Sequence, residues 1–544
     1  MTLPADIVGI GESNRSYSDV QIHEITQLAA GVKDQLHLVD KKIASLHTKR
    51  DVLSKQLYGC KAALAPHKRL PANILKDIFR LSVEDMPIIC LPKERSRDMR
   101  IQICLSHVCT RWRRIMLTAP SLWTNLKVSD FLFRRRRLDA AREFLSRSKR
   151  CPVSLSVSQS FHKRDGVPLE IKLATLMDLL QRQLLAPHRI LEFSLKITMW
   201  DYDQDDAFFA MGKVREFLRT SHPDLEILHF DISVTLKRGV KVDLNPSLQS
   251  TNGPGGSMAK GLPSLKTLHL DSSALFLASI RDYMCWEQLR DLTIRAIPIE
   301  WALAILHQCR LLETFTVDEL HPHNYEPFKP ALQIKDLHIS LPYFRRLKLS
   351  ISNCSTNRHL SSFLAPLDMP NLTSLYYHVL YPTPTEIWPR QADPLIEARL
   401  QLDKLRELEL HSLNPFCRAS PWRKARNLRR LHLHRSELTS DYASNLASGH
   451  SFPLLQDIHL EYHLTRGLAL VPIFQMLEGR QKRAAACMMQ QEGTTEGDDR
   501  DLVLPFKRVK FSCDEMEFEP FKDRAEVLRN DGLELDIRLL KSLF

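Results

Sequence analysis

Leu405-Arg406-Glu407-Leu408-Glu409-Leu410, Leu428-Arg429-Arg430-Leu431-His432-Leu433 and Leu455-Gln456-Asp457-Ile458-His459-Leu460 are three copies of one pattern, apolar-x-x-apolar-x-apolar. Working outward, the pattern recurs at Leu225/Leu228/Phe230, Leu265/Leu268/Leu270, Leu289/Leu292/Ile294, Leu312/Phe315/Val317, Phe344/Leu347/Leu349 and Leu372/Leu375/Tyr377. Weaker copies sit at Ile190/Phe193/Leu195 and Phe506/Val509/Phe511. A short strand whose alternate residues enter a shared core reads this way. Pro223, Pro263, Pro342, Pro370 and Pro453 stand just upstream of their copies and mark turns into the strands.

Between residues 225 and 455 the copies recur every 29 residues on average, with intervals from 23 to 40. That pitch lies at the upper edge of the roughly 20–29-residue leucine-rich-repeat period. The Asn that usually closes such a strand is mostly absent: Asp-Ser-Ser, His-Ser-Leu and His-Arg-Ser follow Leu270, Leu410 and Leu433. Residues 151–544 are therefore read as an irregular α/β leucine-rich-repeat-like solenoid for substrate recognition. The alternative is an unrelated α/β domain with strands of this pattern. Segments 245–261, rich in Gly and Pro, and 490–501, acidic and poor in apolar residues, are read as inserted loops.

The chain ahead of these repeats is helical in pattern. Ile25, Leu28, Val32, Leu36, Val39, Ile43, Leu46, Leu53 and Leu57 form a stripe flanked by charges, with no Pro between Pro4 and Pro66. The spacing predicts a helix over 20–66, after an unstructured segment 1–19, about 65–70 Å long at 1.5 Å per residue. Such a stripe is a coiled-coil seam for homodimerisation, or it packs on its own chain. Next come Leu70-Pro71, with Pro suited to a helix start, and a helix face of Ile74, Leu75, Ile78 and Phe79. Leu105, Val108, Cys109, Trp112 and Ile115 predict one further helix, followed by the turn Pro120-Ser121-Leu122-Trp123. About 60 residues cannot bury all of this apolar surface alone.

In order and spacing, Leu70-Pro71-x-x-Ile74-Leu75-x-x-Ile78-Phe79, Val108-Cys109-x-x-Trp112-Arg113-x-Ile115 and Pro120-x-Leu122-Trp123 resemble an F-box. The helix running into residues 65–75 is similar to the F-box proteins of mushroom-forming fungi, in which a leucine-rich region follows. Ala72-Asn73 departs from the frequent Pro-Glu, and the insertion Glu84–Arg100 is longer than in compact members. The resemblance implies a non-enzymatic adaptor. The F-box-like domain, 67–127, would dock on a Skp-type adaptor and through it on a cullin, while the leucine-rich region holds an unknown protein substrate. The implied docking set is Leu70, Pro71, Ile74, Leu75, Ile78, Phe79, Leu105, Val108, Cys109, Trp112, Pro120, Leu122 and Trp123. The expected fold class is thus multidomain, with an all-α N-terminal part followed by the α/β solenoid.

Charge and composition bound the alternatives. The 544 residues carry a net charge of +12. Residues 133–150 hold eight Lys/Arg against two acids and are read as a basic helical linker, 128–150. Its core, Arg134, Arg135, Arg136 and Arg137, is either a solvated helix face or a patch for nuclear import or an anionic partner. A leucine-rich scaffold or nucleic-acid-associated nuclear protein is the second functional class, although nucleic acid is not the expected partner. No run reaches 18 apolar residues, so a membrane span is not expected. The first residues are read without a secretory signal, and 11 scattered Cys suit a reducing cytoplasm or nucleus.

Catalytic and cofactor motifs are not found. Asp201, Asp203 and Asp205 start like a calcium loop, but Asp206 stands where Gly is needed and Gly212 where a bidentate Glu is needed. His321/His323 and His432/His434 show no third ligand at metal-site spacing and are read as exposed strand or loop residues. No catalytic, cofactor or metal residues are therefore assigned.

Overall fold

The computed structural model describes residues 16–83, 87–90, 101–132, 134–202, 204–220, 222–236, 262–272, 284–321, 338–352, 360, 362–380, 399–411, 421–434, 440–461, 470–491 and 502–540. The insertion Glu84–Arg100 lies mostly outside these residues, as do loop 245–261, nearly all of 490–501 and most of segment 1–19. The chain divides into two compact units between Leu81 and Ser82.

In the first unit, α1 spans Asp19–Ala63, close to the predicted 20–66. Ser18 starts it with a capping box: the Ser18 N–H donates to Gln21 Oε1 at 3.1 Å, and Ser18 Oγ accepts from the Gln21 N–H. Two otherwise unpaired backbone donors are satisfied this way. No residue of α1 is buried. The second helix, α2, spans Ala72–Val83 directly after Pro71.

The second unit is organised by one all-parallel sheet of 15 strands whose order follows the chain. Its first eight strands are β1 Ile88–Cys90, β2 Asn125–Ser129, β3 Val153–His162, β4 Ile190–Tyr202, β5 Ile227–Leu236, β6 Thr267–Ser272, β7 Asp291–Pro298 and β8 Thr314–His321. A separate pair, β9 Ile339–Ser340 and β11 Leu367–Asp368, forms a two-stranded sheet. The large sheet continues with β10 Arg346–Ser352, β12 Ser374–Leu380, β13 Glu407–His411 and β14 Arg430–His434. It ends with β15 Asp457–Glu461, β16 Arg508–Asp514 and β17 Glu534–Leu540.

The register explains the sequence pattern. The fourth position of each copy pairs with the fourth position of the next: Leu375 with Leu408, Leu408 with Leu431, Leu431 with Ile458 and Ile458 with Val509. The sixth positions run beside them as Tyr377, Leu410, Leu433, Leu460 and Phe511. First positions such as Leu405, Leu428 and Leu455 are buried too. Each copy thus puts three apolar side chains into a core shared with its neighbours, and the residues between them face the other side of the sheet. The ladders extend beyond the recognised copies, through Leu126 and Leu155 at one end and Leu535 at the other.

Three boundaries differ from the expectations. Leu105 to Ile115 is not one helix but two, α3 Ile101–Val108 and α4 Thr110–Thr118. Cys109 breaks the run in extended conformation, and its Sγ accepts the Trp112 N–H at 3.5 Å as the cap of α4. The sheet also starts inside the segment assigned to residues 67–127, with β1 and β2. The basic segment 128–150 is not a linker. It contains the end of β2 and then α5, Arg135–Ser148, which buries Leu138, Ala141, Phe144 and Leu145. Arg137 is buried with them and donates from Nη1 to the Ser129 carbonyl at 2.5 Å, while Arg134, Arg135 and Arg136 are exposed. One of the four arginines is therefore a structural cation rather than a solvated charge. The described helices that follow are α6 Leu169–Leu179, α7 Gln204–Leu218, α8 Ile299–Leu306, α9 Ser440–Ser448, α10 Leu470–Gln491, α11 Glu515–Phe518 and α12 Lys522–Asn530.

Candidate functional site

The residues of the implied docking set have different surroundings. On α2, Leu75 and Phe79 are each only 1% exposed, and Val83 is buried as well. Ile74, Ile78 and Leu81 are 42%, 41% and 67% exposed. These six residues make two apolar stripes, one covered and one open. Pro71 is exposed and Leu70 half-buried. Further on, Val108 is exposed, while Leu105, Cys109, Trp112 and Pro120 are half-buried. Leu122 and Trp123 are core residues. The Trp123 indole donates to the Met116 carbonyl at 2.8 Å, stacks on Phe144 at 5.6 Å between centroids and carries the Arg147 guanidinium over its face at 4.6 Å. Aromatic, hydrogen-bonding and cation–π contacts of this kind hold a ring inside its own fold.

The side of the sheet opposite the leucine ladders is polar. Across β13 to β15 it carries three cross-strand rows. The outermost is Glu407, Arg430 and Asp457, in which Arg430 pairs with Glu407 at 2.6 Å and with Asp457 at 3.3 Å. Next come Glu409, His432 and His459, and then His411, His434 and Glu461. In the last two rows Glu409 is the hub. The His411 Nε2 and His434 Nε2 atoms lie 3.2 and 3.0 Å from its Oε1, and His432 Nδ1 lies 3.6 Å from Oε2. His434 Nδ1 meets Glu461 Oε2 at 2.7 Å. The His411 and His434 rings stack at 3.7 Å between centroids.

The electrostatics follow from this crowding. Burial pulls Glu409 toward the neutral form, but hydrogen bonds from His411, His432 and His434 outweigh it and hold the carboxyl well below the usual carboxylate range. Burial lowers the pKa of His434, but Glu409 and Glu461 on its two nitrogens reverse the effect and raise it. His459 is lowered by burial and, to a smaller extent, by the nearby basic groups His432, His434 and Lys510. A second pair on the same face, His229 and His269, stacks at 4.2 Å; burial, followed by the charge of His229, pushes His269 down to about 4.

At one edge of this face lies an open cavity of about 740 Å³. Arg345, Lys404, Arg406 and Arg429 line it with Asp403, Asn371 and Asn427, among others. Asn371 Nδ2 donates to the Pro342 carbonyl at 2.7 Å and Asn427 Nδ2 to the Asp403 carbonyl at 2.5 Å, so both amides tie adjacent turns together. Four cations against one carboxylate give the cavity lining an excess of positive charge.

The expectation that His432 and His434 lack a third ligand is corrected. Two groups of three, Glu409/His411/His434 and His432/His434/His459, have ligand atoms within 4.8 Å of one another. The missing partners come from adjacent strands, one repeat away in sequence, where a search along the chain does not look. Aligning the copies would have shown His411, His434 and Glu461 at the same offset. The calcium-like run is not brought to a site among the described residues. Asp201 pairs with Arg164 at 3.9 Å and Asp206 with Lys163 at 3.3 Å, while Asp203 and the Asp205 side chain lie outside them. His321 Nδ1 lies 3.7 Å from Glu319, and His323 is outside the described residues. Among the described residues no helix is long and apolar enough to cross a membrane.

Compared with known proteins, the chain matches no protein-family model and no curated protein sequence.

Proposed function

We propose that this chain is a non-enzymatic substrate receptor of a Skp–cullin–F-box ubiquitin ligase, with α2 docking on the Skp-type adaptor and a leucine-rich-repeat-like solenoid holding the substrate. The observation that carries the reading is the open stripe of α2. Ile74, Ile78 and Leu81 recur at i, i+4 and i+7 and stay exposed although the opposite stripe of the same helix is covered. An exposed apolar stripe beside Pro71, at the F-box-like positions, is what a docking helix offers a partner. The solenoid reading is supported by parallel strands that follow chain order in the large sheet, most of them built from the same three apolar positions. The basic cavity beside Arg406 suits an acidic segment of the substrate.

The test is a pull-down of purified Skp-type adaptor by the full chain and by Ile74→Asp/Ile78→Asp. Both positions are exposed, so the charges leave the fold intact, whereas Leu75→Asp would place a charge in the interior. Loss of two anchors should weaken binding by about thirtyfold or more, equivalent to roughly 2 kcal/mol. Lys76→Ala, also on α2, should leave it unchanged. Wild-type chain that does not bind the adaptor, or a double variant with wild-type circular dichroism that still binds fully, overturns the reading.

A further inference from the structure

We propose that the polar face of the sheet holds a divalent transition-metal ion of the zinc class, ligated by Glu409, His411 and His434. This site is independent of the adaptor reading. Its first support is the register. Parallel strands stack about 4.8 Å apart, so β13 and β14 present His411 and His434 as direct neighbours, with Glu409 two residues back on the same face. The second is convergence. The Nε2 atoms of both histidines already lie within 3.2 Å of one oxygen of Glu409. Donors on a zinc ion, with bonds of about 2.1 Å, stand roughly 3.4 Å apart. Side-chain rotation alone can therefore bring the three around one ion, without movement of the strands.

The third support is the orientation of His434. Its Nδ1 is held by Glu461 at 2.7 Å, which leaves Nε2 as the ligating nitrogen. A carboxylate behind a ligating imidazole is the recurrent outer support of zinc-binding histidines. His432, whose Nδ1 lies 3.6 Å from the other oxygen of Glu409, stands where a fourth ligand or a water would complete the set. The donor types select the metal. Two imidazoles and one carboxylate suit divalent transition metals such as zinc, iron, cobalt, nickel or copper(II), whereas calcium and magnesium take oxygen ligands and copper(I) takes sulfur. His434 and His411 are only 14% and 20% exposed, so the ion would lie in a shallow, partly dry recess rather than on a mobile fringe.

The experiment titrates tag-free full-length chain with CoCl₂, followed by visible absorption, and then displaces the cobalt with ZnCl₂. One cobalt per chain with ligand-field bands, displaced by one zinc, is the expected result. His434→Ala and the milder His411→Gln should each weaken cobalt binding by about a hundredfold or more, and Glu461→Gln, acting through His434, by about tenfold to a hundredfold. The stacked pair on β5 and β6 is the control: His229→Gln/His269→Gln should bind cobalt like the wild type. Circular dichroism confirms that each variant is folded. Cobalt binding unchanged in folded His434→Ala and His411→Gln overturns the assignment, as does its loss in the His229/His269 variant alone.

Discussion

The two longest helices among the described residues, α1 and α10, could hardly be treated more differently by the molecule. In α1, 45 residues long, no residue is buried, although Leu36, Val39, Ile43 and Leu46 are each about half exposed or more. In α10, 22 residues long, Leu470, Ile473, Phe474, Leu477 and Ala484 are buried, and so is the charged Arg480, with no exposure at all. Arg480 donates to the carbonyls of Leu446 at the end of α9, Phe452 and Leu504, at 3.0, 3.0 and 2.7 Å. Burial pulls its pKa down to about 10, still far above neutrality, so the guanidinium stays charged while it ties loops on both sides of the helix. Helical pattern is common to both elements. What differs is that α10 buries one face against residues of its own unit, and packing of that kind is what makes a helix part of a core.

The comparison breaks first at Arg480. Arg480→Ala should cost about 3 kcal/mol or more, because several buried carbonyls lose their donor together. Urea denaturation followed by circular dichroism measures this. A cost under about 1 kcal/mol would mean that α10 is held by its apolar face alone. A smaller effect separates two glycines. Gly449 follows α9 with φ +77°, and a Cβ placed there would stand 2.6 Å from Val503 Cγ2. Gly31 lies within α1 with nothing within 4 Å of such a Cβ. Gly449→Ala should therefore destabilise the sheet unit by more than about 1 kcal/mol. Gly31→Ala should stabilise α1 by about 0.5–1 kcal/mol. Equal effects of the two substitutions would erase the contrast between a packed and an unpacked helix.

The exposed seam of α1 is expected to pair with a second copy, so light scattering should find two protomers per particle. Replacing Leu36, Val39, Ile43 and Leu46 with Gln should yield one protomer and leave the urea transition of the sheet in place. Identical masses for the two proteins would assign α1 to a solvated helix instead.

Much of this was readable from the residues alone. The first, fourth and sixth positions of each copy announced short strands with one buried face, because a strand's side chains alternate whatever lies beside it. The stripe of α1, and Pro71 at the head of α2, are local signals too, and those helices stand where the spacing puts them. Other features depend on neighbours distant in sequence. The apolar spacing from Leu105 to Ile115 ran on as if through one helix, but Cys109 caps a second helix there. Arg137 looked like its three neighbours until the Ser129 carbonyl was placed beside it. Leu75 and Ile74 are both apolar and adjacent in sequence, yet tertiary packing covers one and leaves the other open. The histidine site shows the division most plainly. Sequence determined that the three copies starting at Leu405, Leu428 and Leu455 carry His or Glu at the same two offsets. Only the parallel register, with no slip between β13, β14 and β15, decided that these side chains share one place, because a shift of one residue would have sent them to the opposite face of the sheet.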